Sequence, residues 1–454
     1  MKKIILISFL LIGAIVAQGQ YNSLGLYNPH FTFNKAELLP SKLGTNKSKV
    51  EFRVLPNAYI YAGNSLMAID HILYPNTKKI DDAINGLDGD AIFGSSLEVP
   101  SLAFSYKFGK TEELFTMSLS NKTRVLANAT IGDNFLKLLW NGNKQFEGQT
   151  IDLGNFRFNT LAATEIDLGA AIPFSIGENL DLRAGITLKY LLGMTGSSLE
   201  ETSATLETAE GGKYINLDNL NYSASFSEID GESTFSGKGF GVDLGVTLVV
   251  KEKDISASVA LLDIGSVNFS GNTKTYLGSA NFNFEGVIVD NVFNIDNVQP
   301  DSVFVEGIKG DSIIGESFSV SLPTRLVIQV EKNIMSKAGK NSKEYIKHGI
   351  YLTYIQGLKN TAGSTKRSYF SGGYSYSLKN ILNVGPTINY GGYSGFGLGM
   401  FLSVKAGPFR IGGGTNTGLS YLLFPGSAKG VDFSFMTSWS IGSKKEKKSA
   451  PSIN

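Results

Sequence analysis

The sequence predicts an all-β fold, a transmembrane antiparallel β-barrel of about 14 strands with an N-terminal plug or hatch segment and short loop helices. Three observations carry this prediction. Apolar and polar residues alternate with period two over stretches close to the roughly 9 to 11 residues that cross a bilayer when tilted. The connections between those stretches run long, short, long, short, as in outer-membrane barrels, whose periplasmic turns are short and outer loops long. A leader precedes them, because Lys2 and Lys3 are followed by an apolar run from Ile4 to Ala17 and then by small and polar residues. This pattern is a secretory signal peptide over residues 1–19 and agrees with the cell outer membrane, the address that the barrel implies.

Residues 20–49 contain Pro29 and Pro40 and lack sustained alternation, so this segment is expected to fold into the barrel mouth. The barrel is expected to occupy 50–441, with strands starting near Val50, Leu97, Phe115, Leu161, Leu180, Gly239, Ile255, Phe318, His348, Tyr369, Val384, Phe396, Phe409 and Val431. Alternation is clearest in Leu180–Leu191, where Leu180, Leu182, Ala184, Ile186, Leu188 and Tyr190 share one face and Asp181, Arg183, Thr187 and Lys189 the other. Apolar residues then face lipid and charges face the lumen. Short helices are expected over Ser65–Leu73 and Asn134–Trp140, the second capped by Asp133, with a further turn over Lys78–Asn85.

Two stretches, Gly193–Gly237 and Asp263–Ser317, read as long acidic outer loops. The short-turn side is more basic, with Lys332, Lys337, Lys340, Lys343 and Lys347, and a basic tail over 442–454 carries Lys444, Lys445, Lys447 and Lys448. Protein partners at the acidic outer loops or the basic periplasmic side follow as an expectation, as does lipid around the barrel. Barrels commonly end in an aromatic residue; here Phe433, Phe435 and Trp439 stand inside the last strand instead.

The chain has no cysteine, which excludes disulfides, a lipid-attachment thiol and thiolate metal sites. A formal net charge of +1 argues against nucleic-acid binding. His30, His71 and His348 have no metal-ligand spacing, and no cofactor is expected. Gly395-Phe396-Gly397-Leu398-Gly399 opens a strand rather than a phosphate-binding turn, and Gly392-Tyr393-Ser394-Gly395-Phe396 lacks the last glycine of a nucleophile elbow. Asp81, Asp82, Asp88 and Asp90 miss the calcium-loop pattern. What remains is a charged interior. The alternation points Arg53, Lys107, Lys122, Arg124, Glu165, Asp167, Asp181, Arg183, Lys189, Asp243, Arg325 and Glu331 inward, with Asp181 and Arg183 expected to face Glu165 and Asp167.

Gly142–Gly148 (GNKQFEG), Leu182–Gly193 (LRAGITLKYLLG), Gly237–Val250 (GKGFGVDLGVTLVV), Ser258–Phe269 (SVALLDIGSVNF) and Leu322–Val330 (LPTRLVIQV) resemble segments of an uncharacterised Bacteroidota outer-membrane β-barrel family, a domain of unknown function. More distantly, the architecture is similar to FadL-type and PorV-type barrels. That resemblance implies a hatch near Tyr27-Asn28-Pro29 and carries over no functional residue. The leading expectation is a non-enzymatic barrel passing a small hydrophobic molecule. The rival is a secretion-associated scaffold for partner proteins, and an outer-membrane hydrolase is third.

Overall fold

A computed structural model describes residues 27, 31–46, 48–109, 113–228, 234–284, 310–337 and 344–442. The leader, Asn28, Pro29, His30, Lys340, Lys343, residues 285–309 and the tail beyond Gly442 lie outside the described residues. One antiparallel sheet closes into a barrel of fourteen passes. The first pass is split into β1 (Val50–Arg53) and β2 (Ala58–Asn64), and the strands that follow are β3 (Ala91–Phe108), β4 (Phe115–Ile131), β5 (Gln149–Asp152), β6 (Phe156–Ile176) and β7 (Leu180–Thr208). Next come β8 (Ile215–Ser227), β9 (Gly237–Val250), β10 (Ile255–Phe269), β11 (Thr273–Phe284), β12 (Gly310–Ile314), β13 (Phe318–Ser321) and β14 (Arg325–Lys337). The wall ends with β15 (Glu344–Gly357), β16 (Ser368–Leu378), β17 (Leu382–Gly391), β18 (Gly397–Ala406), β19 (Phe409–Thr415) and β20 (Gly430–Ile441).

Closure is made by β20, which pairs with β19 on one side and with both pieces of the first pass on the other, Val50 standing opposite Ile441. The first pass breaks at 54–57, where Pro56 has no N–H to give to a ladder. Asn57 replaces the lost bonds, its side-chain oxygen accepting from the Thr437 amide and its own amide donating to the Pro100 carbonyl. Each expected strand start falls within about six residues of an observed pass, and the even number of passes brings Val50 and Ile441 to the short-turn end.

Accessibility shows which way each side chain points, outward groups being accessible and inward ones buried. On β7, Ile186, Leu188 and Tyr190 are exposed while Arg183 and Lys189 are buried. On β18, Met400, Leu402 and Val404 are exposed while Phe401 and Ser403 are buried. Leu168, Leu244, Val259, Val330, Leu352 and Ile388 continue this outer apolar belt. Aromatic rings gather at the short-turn end, Trp439 lying 5.9 Å from Phe52 and 4.5 Å from Phe409, and Phe108 stacking on Phe115 at 4.4 Å. Such rings suit the headgroup level, where one side is apolar and the other wet.

Two expected loops are corrected. Among the described residues of Gly193–Gly237 the chain forms most of a 29-residue β7, which pairs with β8 and β5, and then β8 itself, and among those of Asp263–Ser317 it forms the end of β10, then β11 and β12. The wall thus continues past the outer belt as a raised sheet, because Ile151, Leu153, Ala204 and Leu206 bury together with Phe146 and give that extension its own core. The helices also shift. Ile69–Leu73 starts later than Ser65, since the Asn64 side chain takes the amides of Leu66 and Met67 into a turn. Thr77–Asn85 is capped by Asn76, and Asp133–Asn141 begins after Gly132 with Asp133 inside its first turn, bonded to Lys137 at 2.8 Å.

Candidate functional site

The interior is filled from below by the N-terminal segment, in which Phe31–Lys35 and Leu38–Gly44 are all buried. Glycines make room for it. Gly185 on β7 and Gly245 on β9 are register partners, and a Cβ on Gly185 would stand 2.3 Å from the Pro40 carbonyl carbon. Leu38 and Leu39 pack with Ala260, Leu262, Val327, Tyr351, Ile355, Tyr369 and Phe401, all fully or nearly fully buried on the inner wall. Polar ties fasten the same segment. Lys35 and Lys42 each reach Glu331 at 3.4 Å, Ser41 Oγ lies 2.7 Å from Thr247 Oγ1, and Arg183 donates to the carbonyls of Ser41 and Leu43 at 3.0 and 2.6 Å.

Beside this segment the wall carries a lattice of buried ion pairs centred on Asp263. Arg124 and Lys189 reach one carboxylate oxygen at 2.7 and 2.5 Å, and Arg325 reaches the other at 3.3 Å. Arg124 also holds Glu165 at 2.7 Å, Lys189 holds Asp243 at 2.8 Å, and Lys122 lies 3.6 Å from Glu98 and 3.7 Å from Glu165. Asp263 reaches this position through a bulge. The β9–β10 register shifts between Leu261 and Ile264, Asp263 adopts φ of 56°, and its amide donates to Asp243 at 2.6 Å. Buried charges are tolerated where each has an opposite partner, and this lattice supplies one to each of these cations.

Of the twelve residues expected to point inward, Arg53, Lys122, Arg124, Glu165, Asp167, Arg183, Lys189, Asp243, Arg325 and Glu331 are buried, while Lys107 and Asp181 are partly exposed. Their partners differ from the expected ones. The β6–β7 register sets Asp167 opposite Lys189 and Asp181 opposite Ser175, so Asp181 pairs with Lys251 at 2.8 Å at the short-turn end. Arg183 turns instead to Glu113 at 2.9 Å. Arg53 lies 3.4 Å from Glu37 and 5.6 Å from the centre of the Phe33 ring. Missed by sequence reasoning were Asp263, which the bulge takes out of strict alternation, and Lys35, Glu37 and Lys42, whose segment carries no periodicity. His348 bonds Tyr374 at 2.7 Å on a wall strand and His71 sits in a short helix in the connection between β2 and β3. Among the described residues no three histidine or carboxylate groups gather as metal ligands.

Under the segment, at the short-turn end, lies a cavity of about 580 Å³ lined by Lys35, Lys42, Lys107, Arg183, Lys405 and Arg410, with Glu113, Asp254 and Glu331 as its acids. Burial raises the Glu113 carboxyl, but bonds from Arg183 and Thr116 and the nearby Lys107 outweigh it and hold the group below the usual carboxylate range. A depressed folded value means stability that is present above the unfolded value and lost as pH falls through the folded one. Wild type is therefore expected to melt higher than Glu113→Gln at pH 7, with the difference shrinking as pH falls below the ordinary glutamate value of about 4.3 and lost below the folded one, as read by thermal unfolding in detergent.

No curated protein matches the chain. Among solved structures, the Ralstonia pickettii toluene transporter TbuX is similar at 12% identity and TM-score 0.42, over 90% of this chain and 94% of its own. The Pseudomonas putida toluene transporter TodX gives 8% identity and TM-score 0.43 over 93% and 95% of the two chains. A Pseudomonas aeruginosa FadL homologue gives 11% identity and TM-score 0.40 over 94% and 97%. A family model spans residues 40–416, from the buried turn on Gly185 to the last outer connection, and the chain belongs to that family, the family of unknown function DUF5723.

Proposed function

We propose that the protein is an outer-membrane barrel that lets a small hydrophobic molecule pass, with segment 31–46 as its hatch. The outer belt of Leu168, Leu188, Leu244, Val330, Leu352 and Leu402 supports the membrane setting, since an exposed apolar surface of that extent needs lipid against it. The observation that carries the passage reading is the apolar patch on the inner wall. Barrel interiors are ordinarily polar. Here Leu262, Val327, Ile355, Tyr369 and Phe401 face inward, and Leu38 and Leu39 cover them. Withdrawal of the segment bares a lumenal surface suited to an apolar guest while the Asp263 lattice keeps the wall rigid.

In this reading the segment can leave because, among the described residues, no strand of the wall falls within 31–46. Its polar ties are to side chains and to its own carbonyls, and its ion pairs in this region converge on Glu331 and Glu37. The test is uptake of the hydrophobic dye N-phenylnaphthylamine by cells that make the protein and by matched cells that do not. Faster, saturable entry with the protein is expected. Equal entry in the two strains would overturn the reading.

A further inference from the structure

We propose that the short-turn cavity is an oxyanion-binding site whose receptor pair is Lys405 and Arg410, taking a carboxylate or phosphate group. Among the described residues the lining holds six cations, Lys35, Lys42, Lys107, Arg183, Lys405 and Arg410, against three acids. Two of those acids are already shared. Glu331 serves Lys35 and Lys42, and Glu113 serves Arg183 and Lys107. The third, Asp254, lies in the exposed turn between β9 and β10.

Lys405 and Arg410 are left over. They stand directly opposite each other across β18 and β19, and both alternate to the inner face, Lys405 with Ser403 and Phe401, Arg410 with Gly412. Like charges directly opposite on neighbouring strands repel. Arg410 is 4% exposed, and its bonds go to neutral oxygens, Ser403 Oγ at 3.3 Å and the Asn380 carbonyl and side-chain oxygens at 3.0 and 3.3 Å. Among the described residues neither cation has a carboxylate within ion-pair distance. A buried guanidinium in a cavity otherwise rich in cations lacks its counter-charge, and an anion entering from the short-turn mouth supplies it. The guanidinium fork suits two oxygens of one carboxylate or phosphate, and Lys405 adds a point charge from the facing strand.

This site is independent of the passage reading, because binding is measured without transport. The full chain in a neutral detergent is titrated calorimetrically with inorganic phosphate in one arm and with octanoate in the other. Saturable binding is expected in at least one arm, weakened about tenfold or more in Lys405→Gln and in Arg410→Gln. Lys405 is partly exposed, so Lys405→Gln keeps the experiment decisive if Arg410→Gln fails to fold. Phosphate alone identifies a small free anion as the ligand, whereas octanoate alone identifies the head of an amphiphile. Absence of saturable binding in both arms, or binding unchanged in Lys405→Gln, would overturn the proposal.

Discussion

Replacing Asp263 by asparagine is expected to destabilise the barrel by about 3–5 kcal/mol, the range for removing one member of a buried charge network. The size of this effect follows from convergence. One carboxylate meets Arg124, Lys189 and Arg325, and it is fully buried. Asparagine retains the shape but presents an NH2 group to donors and removes the carboxylate that the three cations share, Glu165 still holding Arg124 and Asp243 still holding Lys189. The comparison is Asp181→Asn, which removes one partner of an ion pair whose side chains are 31% and 41% exposed. That change is expected to stay within about 1 kcal/mol. Urea titration of folding into lipid bilayers, followed through Trp140 and Trp439, measures both variants side by side. Similar losses in the two would show that the lattice contributes nothing beyond an exposed pair.

Replacing Gly185 by valine is expected to drive segment 31–46 off the wall while the barrel stays assembled. A Cβ at this position would meet backbone, the Pro40 carbonyl carbon at 2.3 Å, its oxygen at 2.4 Å and the Ser41 amide nitrogen at 2.3 Å. Backbone cannot swing aside as a side chain does. Overpacking of this kind opposes docking by about 1–3 kcal/mol, roughly a 5- to 150-fold rise in the undocked population. Lys35 and Lys42 are each 4% exposed when docked, so trypsin cleavage after them reports the undocked state. Cleavage should accelerate in Gly185→Val while the folded barrel still migrates as a heat-modifiable band. Unchanged cleavage would mean that the segment finds room elsewhere, and the seat on Gly185 would then not determine its place.

The barrel itself was legible because lipid on one side and side chains on the other impose a strict period of two. Leu180–Leu191 shows this: Ile186, Leu188 and Tyr190 are exposed, and Arg183 and Lys189 are buried. Strand ends were less legible, because above the outer belt the same alternation continues without lipid. Thr205 and Glu207 lie in β7 beside Ala204 and Leu206, which bury against a small core of their own. Of the charges expected on the inner wall, Lys107 and Asp181 are partly exposed and the other ten are buried, and their pairing was not legible, because register is set by turns and bulges. A bulge turned Asp263 from a loop acid into the centre of the lattice. The segment in the lumen left no periodic signal. What marked it in the sequence was Pro29, Pro40 and the lack of alternation, and the structure adds a set of inward glycines, Gly185, Gly245, Gly373 and Gly412, whose missing side chains make space for Pro40, Tyr27 and Phe31.

The central claim is that this segment must leave the wall for a hydrophobic molecule to pass. The chain has no cysteine, so a single engineered pair can lock it. Ser41 Oγ and Thr247 Oγ1 lie 2.7 Å apart, one on the segment and one on β9, which makes Ser41→Cys with Thr247→Cys the pair to use. Dye uptake by cells making the double variant is measured after mild oxidation and again after reduction. Entry at the level of cells lacking the protein when oxidised, and recovery to the wild-type rate when reduced, is the predicted result. Wild-type entry through the oxidised, fully cross-linked barrel would contradict the account.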